Sequence, residues 1–190
     1  MSLCFETVLS LKGKPQNLKF HQQRLDYTQS KLYQNYEKID LNSLISPPKE
    51  YDCRVRVVYG KKVVKTEYLE LKKRSFKNFR LVESEIEYPF KFVDRESLDS
   101  LRVEGFDDVI IHKNGELRDT LIANIALFID NRWFTPKNPL LYGTTRERLI
   151  REGFMQERRL YVEDLEKASN FAIMNALIGL CEIGGDFSVT

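Results

Sequence analysis

The sequence predicts a mixed α/β (α+β) chain of two domains, a small α/β domain followed by a larger carboxy-terminal one. Three observations carry this. Short apolar runs bounded by turn residues recur along the 190 residues and read as strands. Helical periodicity is confined to a few segments. Residues 77–89 are polar, periodically acidic and closed by Pro89, which suits a connection between two packed bodies. The boundaries are placed at 1–80 for the small domain, 81–90 for the linker and 91–190 for the larger domain.

Residues 4–11 are apolar with Glu6 embedded and read as a strand, followed by a turn at Lys12-Gly13-Lys14. Asn17 is placed as the N-cap of a helix running to about Tyr36. Leu18, His21, Leu25, Thr28 and Leu32 then fall on one face. Ser46-Pro47-Pro48 interrupts the chain before a strand over 53–59, and a second strand over 63–71 follows the turn at Gly60-Lys61. Beyond the connection, 96–103 reads as helix and 108–112 as a buried-type strand. Lys113-Asn114-Gly115 is a strong turn signal. The strand pair continues over 122–129, turns at Asp130-Asn131 and returns at Trp133-Phe134. Thr144 starts a helix, with Glu147 three residues on completing a capping box. A short helix over 163–168 precedes two apolar strands. There is no internal repeat and no low-complexity tract.

Bulk properties exclude several classes. The 30 basic and 28 acidic residues nearly balance, at a formal net charge of +2, and no basic arm or nucleic-acid module is evident. Lys72-Lys73-Arg74 with Lys77 is the densest basic patch and reads as a solvated strand end or loop. Cys4, Cys53 and Cys181 are odd in number and far apart, which points to a reducing compartment with neither disulfide framework nor zinc spacing. His21 and His112 have no partner at ligand spacing, so no metal is expected. No apolar run approaches the roughly 20 residues that span a bilayer, and the amino terminus has no secretory pattern. The expectation is a soluble, cytoplasmic protein that binds neither nucleic acid nor membrane.

Lys91 is the most informative residue. It lies between Phe90 and Phe92, where burial would disfavour the ammonium form and leave a nucleophilic amine able to form a Schiff base. The bland alternative is a surface lysine with a packed stem and a wet head.

In chain order, Phe5-Glu6-Thr7, His21-Gln22-Gln23-Arg24-Leu25, Lys91 with Asp94-Arg95, Asp119-Thr120 with Ala123-Asn124, Gly143-Thr144-Thr145-Arg146 and Asn175-Ala176-Leu177 resemble a known family. It is the class IV aminotransferase group of fold-type IV pyridoxal-phosphate enzymes. Branched-chain aminotransferases, D-amino-acid aminotransferases and aminodeoxychorismate lyases belong to it, and the likeness spans nearly the whole chain.

The resemblance implies a role for each matched position. Lys91 would join the cofactor aldehyde and later shuttle protons. Asp119 falls where the family usually has a glutamate against the pyridine nitrogen; read alone, it is a strand-end aspartate capping the Gly115 turn. Arg24, Thr144 and Thr145 would bind phosphate, although Arg24 also suits a solvated charge and Thr144 a plain helix cap. Asn124 would be among the cofactor-binding residues. Asn175-Ala176 would donate near the phosphate or a substrate carboxylate, or is an ordinary turn. Arg54 and Arg56 share one strand face, where one of them would hold a substrate carboxylate; the alternative is an exposed polar face. Phe5 replaces a pocket tyrosine of some relatives, and His21 would be a helix-face packing or orienting residue, not a catalyst. Departures are Asp94-Arg95 for a more usual Asn or Asn-Arg pair, and an amino terminus shorter than in most relatives. The resemblance further implies a two-domain fold with a barrel-like sheet in the larger domain, and a homodimer. Three functions follow from it. One is a lyase converting 4-amino-4-deoxychorismate to 4-aminobenzoate and pyruvate. Another is an aminotransferase for branched-chain or D-amino acids, and the third is a cofactor-binding protein with reduced turnover.

Overall fold

A computed structural model describes residues 2–72, 74–184 and 188–190. Lys73 of the basic patch lies outside them. The chain divides into two compact units, Met1–Lys73 with Phe90–Asp94, and Arg74–Pro89 with Arg95–Thr190.

The first unit holds β1 (Cys4–Leu11), β2 (Lys14–Pro15), α1 (Leu18–Leu32), α2 (Leu41–Leu44), β3 (Cys53–Tyr59) and β4 (Val63–Glu70). Its antiparallel sheet has the order β2-β1-β3-β4. Lys12 and Gly13 adopt left-handed φ of 44° and 81°, which turns β1 directly into β2. Along β1 burial alternates, with Cys4, Glu6, Val8 and Ser10 buried. In α1 His21, Leu25, Thr28 and Gln29 are buried. Leu25, Leu41, Val55 and Val57 centre the core, each buried aliphatic side chain contributing about 1.5–3 kcal/mol. Asn17 precedes α1 with a left-handed φ of 53° and makes no side-chain cap. The helix stops at Leu32, short of the expected Tyr36. Tyr33 turns extended, buries its ring and donates its hydroxyl to the Ser2 carbonyl at 2.7 Å.

The segment Phe90–Asp94 belongs to this unit because it pairs with the start of β1. The Phe5 amide donates to the Lys91 carbonyl at 2.9 Å, the Val93 amide to Leu3 at 2.8 Å, and Phe92 bridges Cys4. Lys91 therefore sits with the first 73 residues, whereas the sequence boundaries grouped it with the carboxy-terminal part.

The second unit holds β5 (Asn78–Glu83), α3 (Glu96–Asp99), β6 (Asp108–Lys113), β7 (Glu116–Thr120), β8 (Asn124–Ile129), β9 (Arg132–Pro136), α4 (Thr144–Arg151), β10 (Met155–Arg158), α5 (Asp164–Lys167), β11 (Asn170–Asn175), β12 (Gly179–Ile183) and β13 (Ser188–Val189). The strand order is β10-β9-β8-β7-β6-β5-β13, with β11 on β8 and β12 on β11. The order has two ends, and the described residues form no closed barrel. The stretch expected to be a polar connection contains β5, which runs parallel to β6 with Phe79 opposite Asp108 and Glu83 opposite His112. Phe79 is fully buried in the core with Ile110, Leu117, Ile125 and Phe171. The helix expected over 96–103 ends at Asp99, and the chain then turns through Gly105 at φ 84°. Asn114 and Gly115 (φ 49° and 78°) close β6 onto β7, and Asp130 and Asn131 (51° and 60°) close β8 onto β9. No described helix is long and apolar enough to cross a membrane.

Candidate active site

The residues singled out by sequence fall into two groups, one in each unit. In the first, β1 carries Glu6 on its helix-facing side, and one turn of α1 spaces His21 and Arg24 to meet it. Arg24 donates to the two carboxylate oxygens of Glu6 from Nε at 2.8 Å and Nη2 at 2.6 Å, and His21 Nδ1 lies 2.7 Å from Oε2. Glu6 is fully buried. Burial alone would raise its pKa; the Arg24 charge and the bonds from His21 and Arg24 outweigh it and hold the carboxyl at about 2. Burial lowers the His21 pKa against the opposing pull of Glu6. Arg24 is thus oriented by a buried anion and is not a solvated charge.

On the other face of β1, Phe5 gathers two cations. The Arg56 guanidinium stands 4.7 Å and the Lys91 ammonium 4.8 Å from its ring centroid. Thr7 is opposite Arg56 and Leu9 opposite Arg54 in the ladder, so both arginines share this face, as alternation required. Arg56 also donates to Glu67 at 3.2 Å, and Arg54 Nε is buried without a hydrogen-bond partner. Phe90 and Phe92 flank Lys91 and meet edge to face at 5.8 Å. Lys91 is half-buried, with its amine over the Phe5 ring, where the sequence suggested full burial.

In the second unit, Asp119 at the end of β7 is 3 % exposed. It does not cap the Gly115 turn. Its Oδ1 accepts from Asn124 Nδ2 at 2.7 Å and its Oδ2 from the Leu141 amide at 2.9 Å. Burial pushes its pKa up to about 6, opposed by these two donors and by the Arg146 charge. The second proton of Asn124 Nδ2 goes to the Leu141 carbonyl at 2.8 Å.

Gly143 is the N-cap of α4, with φ −74° and ψ 144°, and no side chain caps this helix. The expected Thr144–Glu147 capping box is absent: Thr144 is the first helical residue, and Glu147 pairs with Arg151 at 2.6 Å. The reason is steric. A Cβ at position 143 would collide with Asn124 Oδ1, so glycine takes the cap position and the threonines move into the first turn. Thr144 and Thr145 are both buried there, among amides that lie outside the intrahelical ladder. This end of α4 can receive an anion. Between β11 and β12, Asn175 Oδ1 accepts from the amides of Leu177 and Ile178 at 2.9 and 3.1 Å, and its Nδ2 donates to Ile122 at 3.3 Å. Ala176 lies in the turn so formed.

Sequence reasoning gave no task to Glu6, Gly143 or Arg146. The signal for Glu6 was present, since a carboxylate on the buried phase of an apolar strand requires a partner. Arg146 is 1 % exposed and donates to the Pro136 carbonyl at 2.9 Å and to Glu157 at 2.6 Å; its amphipathic spacing gave no sign of that burial.

Residues 97–184 match the family model of amino-transferase class IV. An uncharacterized protein of Haemophilus influenzae is 32 % identical over 184 residues, covering 93 % of this chain and 98 % of its own. A solved structure from Haemophilus somnus 129pt, provisionally named a 4-amino-4-deoxychorismate lyase, has a TM-score of 0.87 at 29 % identity and covers 95 % of this chain and 98 % of that one. The PLP-bound form of a hypothetical aminotransferase from Mycobacterium tuberculosis shares the fold, with a TM-score of 0.73 at 17 % identity, covering 95 % of this chain and 80 % of that one.

Proposed function

We propose that this chain, which belongs to the amino-transferase class IV family, is a pyridoxal-phosphate-dependent lyase. It would convert 4-amino-4-deoxychorismate to 4-aminobenzoate and pyruvate, a step of folate biosynthesis. The observation that carries the substrate assignment is the likeness, over nearly the full length of both chains, to the Haemophilus somnus structure.

The residues present suit the cofactor by the chemistry of their donors. Lys91 supplies an amine and Asp119 a buried carboxylate, Arg24 a fixed guanidinium, and α4 a first turn with two threonines. Bound pyridoxal phosphate supplies an electron sink for a carbanion on the substrate carbon that bears nitrogen.

The remaining work falls to the chain itself. The Lys91 amine would hold the cofactor covalently, then take the proton from that carbon once substrate has displaced it. The ring C–O bond on the neighbouring carbon would then break, which aromatises the ring, and the departing enolpyruvate, keeping its oxygen, would take up a proton to become pyruvate. Asp119 would keep a proton on the ring nitrogen; the donors from Asn124, Leu141 and Leu140 do not exhaust the acceptor capacity of its two oxygens. Arg24, Thr144, Thr145 and the Asn175-Ala176 turn would take the phosphate. Arg54 or Arg56 would take a substrate carboxylate, and the Phe5 ring offers packing without a phenol. A cytoplasmic homodimer completes the reading.

The test is pyruvate release from 4-amino-4-deoxychorismate by cofactor-loaded protein, with Lys91→Ala as control. Release by the wild type alone supports the assignment, and no release by the loaded wild type refutes it. Stoichiometric accumulation of the pyridoxamine form with an amino acid would instead support an aminotransferase, the activity in the name of the Mycobacterium tuberculosis structure. Mass measurement in solution tests the dimer.

A further inference from the structure

Asn124 has no donor left for a ligand. An amide nitrogen carries two protons, and both are used within the protein, one on Asp119 Oδ1 at 2.7 Å and one on the Leu141 carbonyl at 2.8 Å. Its oxygen occupies the space that a side chain at position 143 would need. Asp119 Oδ2 closes the loop by accepting from the Leu141 amide at 2.9 Å. One side chain at the start of β8 therefore touches the end of β7, the turn over 140–143 and the N-cap of α4.

We infer that Asn124 is a positioning residue which fixes the separation between the Asp119 carboxylate and the first turn of α4, so that this unit recognises a ligand by a protonated ring nitrogen and a phosphate together. The inference rests on the proposed cofactor reading and deepens it. Asn124 contributes to affinity without touching the ligand. It keeps the carboxylate and the Thr144–Thr145 turn from moving independently, and a ligand with both groups then meets both partners with no reorganisation. A ligand without the phosphate uses one end only and gains little from a fixed spacing.

The experiment compares equilibrium affinities of pyridoxal phosphate and pyridoxal for wild type, Asn124→Ala and Gly143→Ala, on protein shown by circular dichroism to be folded. In Asn124→Ala the preference for the phosphorylated form should fall by tenfold or more, while pyridoxal affinity changes less than threefold. Gly143→Ala pushes on the same turn from the opposite side and should lower the same ratio. Hydrogen exchange of the apo-protein adds a ligand-free readout, with the Leu141 amide exchanging faster in Asn124→Ala. An unchanged ratio in Asn124→Ala beside normal wild-type binding overturns this inference and leaves the cofactor reading standing. Equal loss of both ligands reduces Asn124 to a folding role and overturns it as well. Failure of the wild type to take up pyridoxal phosphate refutes the cofactor reading and this inference with it.

Discussion

Replacing Glu6 by glutamine should destabilise the first unit far more than the loss of one charge from a surface would. The carboxylate is fully buried and receives Arg24 Nε at 2.8 Å, Arg24 Nη2 at 2.6 Å and His21 Nδ1 at 2.7 Å. Glutamine keeps the shape but turns an amide donor toward one of these donors and removes the countercharge. Breaking a buried pair from one side costs about 3–5 kcal/mol, because the remaining charge stays buried and unpaired. For a chain of this size each kcal/mol lowers the melting temperature by about 2–4 °C. Trp133, the one tryptophan, lies in the second unit. The first unit is therefore best followed by native-state hydrogen exchange at β1 and β3 amides, where the opening free energy should fall by roughly 3 kcal/mol or more. Adding Arg24→Gln to Glu6→Gln should recover more than half of the loss, since no charge is then stranded. The pH dependence has a definite sign. Glu6 is held at about 2, below its ordinary 4.5, so its contribution is complete above pH 4.5 and is lost as pH falls toward 2. A change below about 1 kcal/mol in Glu6→Gln, or additive losses in the double variant, would refute the reasoning.

Asp119 should behave in the opposite sense. Its pKa is raised to about 6 by burial, so its contribution is complete below pH 3.8 and is lost as pH rises through 6. Unfolding of the second unit, followed by Trp133 fluorescence in urea, should show on the order of 3 kcal/mol of stability lost from pH 4 to pH 7, with the slope flattened in Asp119→Asn. Gly143→Ala should cost about 1–3 kcal/mol in the same assay, as an overpacked contact with Asn124. Lys91→Ala should abolish pyruvate formation while changing stability by less than about 1 kcal/mol, because a half-buried side chain at the edge of an aromatic cluster contributes little packing; a large stability loss would argue for a structural lysine.

Local chemistry was legible where it suffices to fix conformation. The turns at Lys12-Gly13, Asn114-Gly115 and Asp130-Asn131 all take left-handed backbone, which Gly, Asn and Asp tolerate and which Lys12 adopts beside Gly13. The strands over 4–11 and 53–59 have the expected bounds because their apolar alternation matches a half-buried sheet. β5 was hidden because its pairing with β6 is parallel and distant in sequence, and only Phe79 in that stretch is fully buried. The capping box failed at Thr144 for a similar reason. The cap position was taken by the only residue that fits beside Asn124, nineteen positions earlier in the chain.

The sequence alone determined which chemical groups this protein has to work with: an amine between phenylalanines, an arginine one helical turn from a histidine, paired threonines after a glycine. It determined them because side-chain type and short spacing are written in the chain. Tertiary structure decided what those groups face. It gave Glu6 one cation, Arg24, and a hydrogen bond from His21, set Asp119 between an amide side chain and a backbone N–H, and used both protons of Asn124 within the protein. Acidity and orientation depend on burial and on partners brought together by folding, and neither quantity exists before the chain has packed.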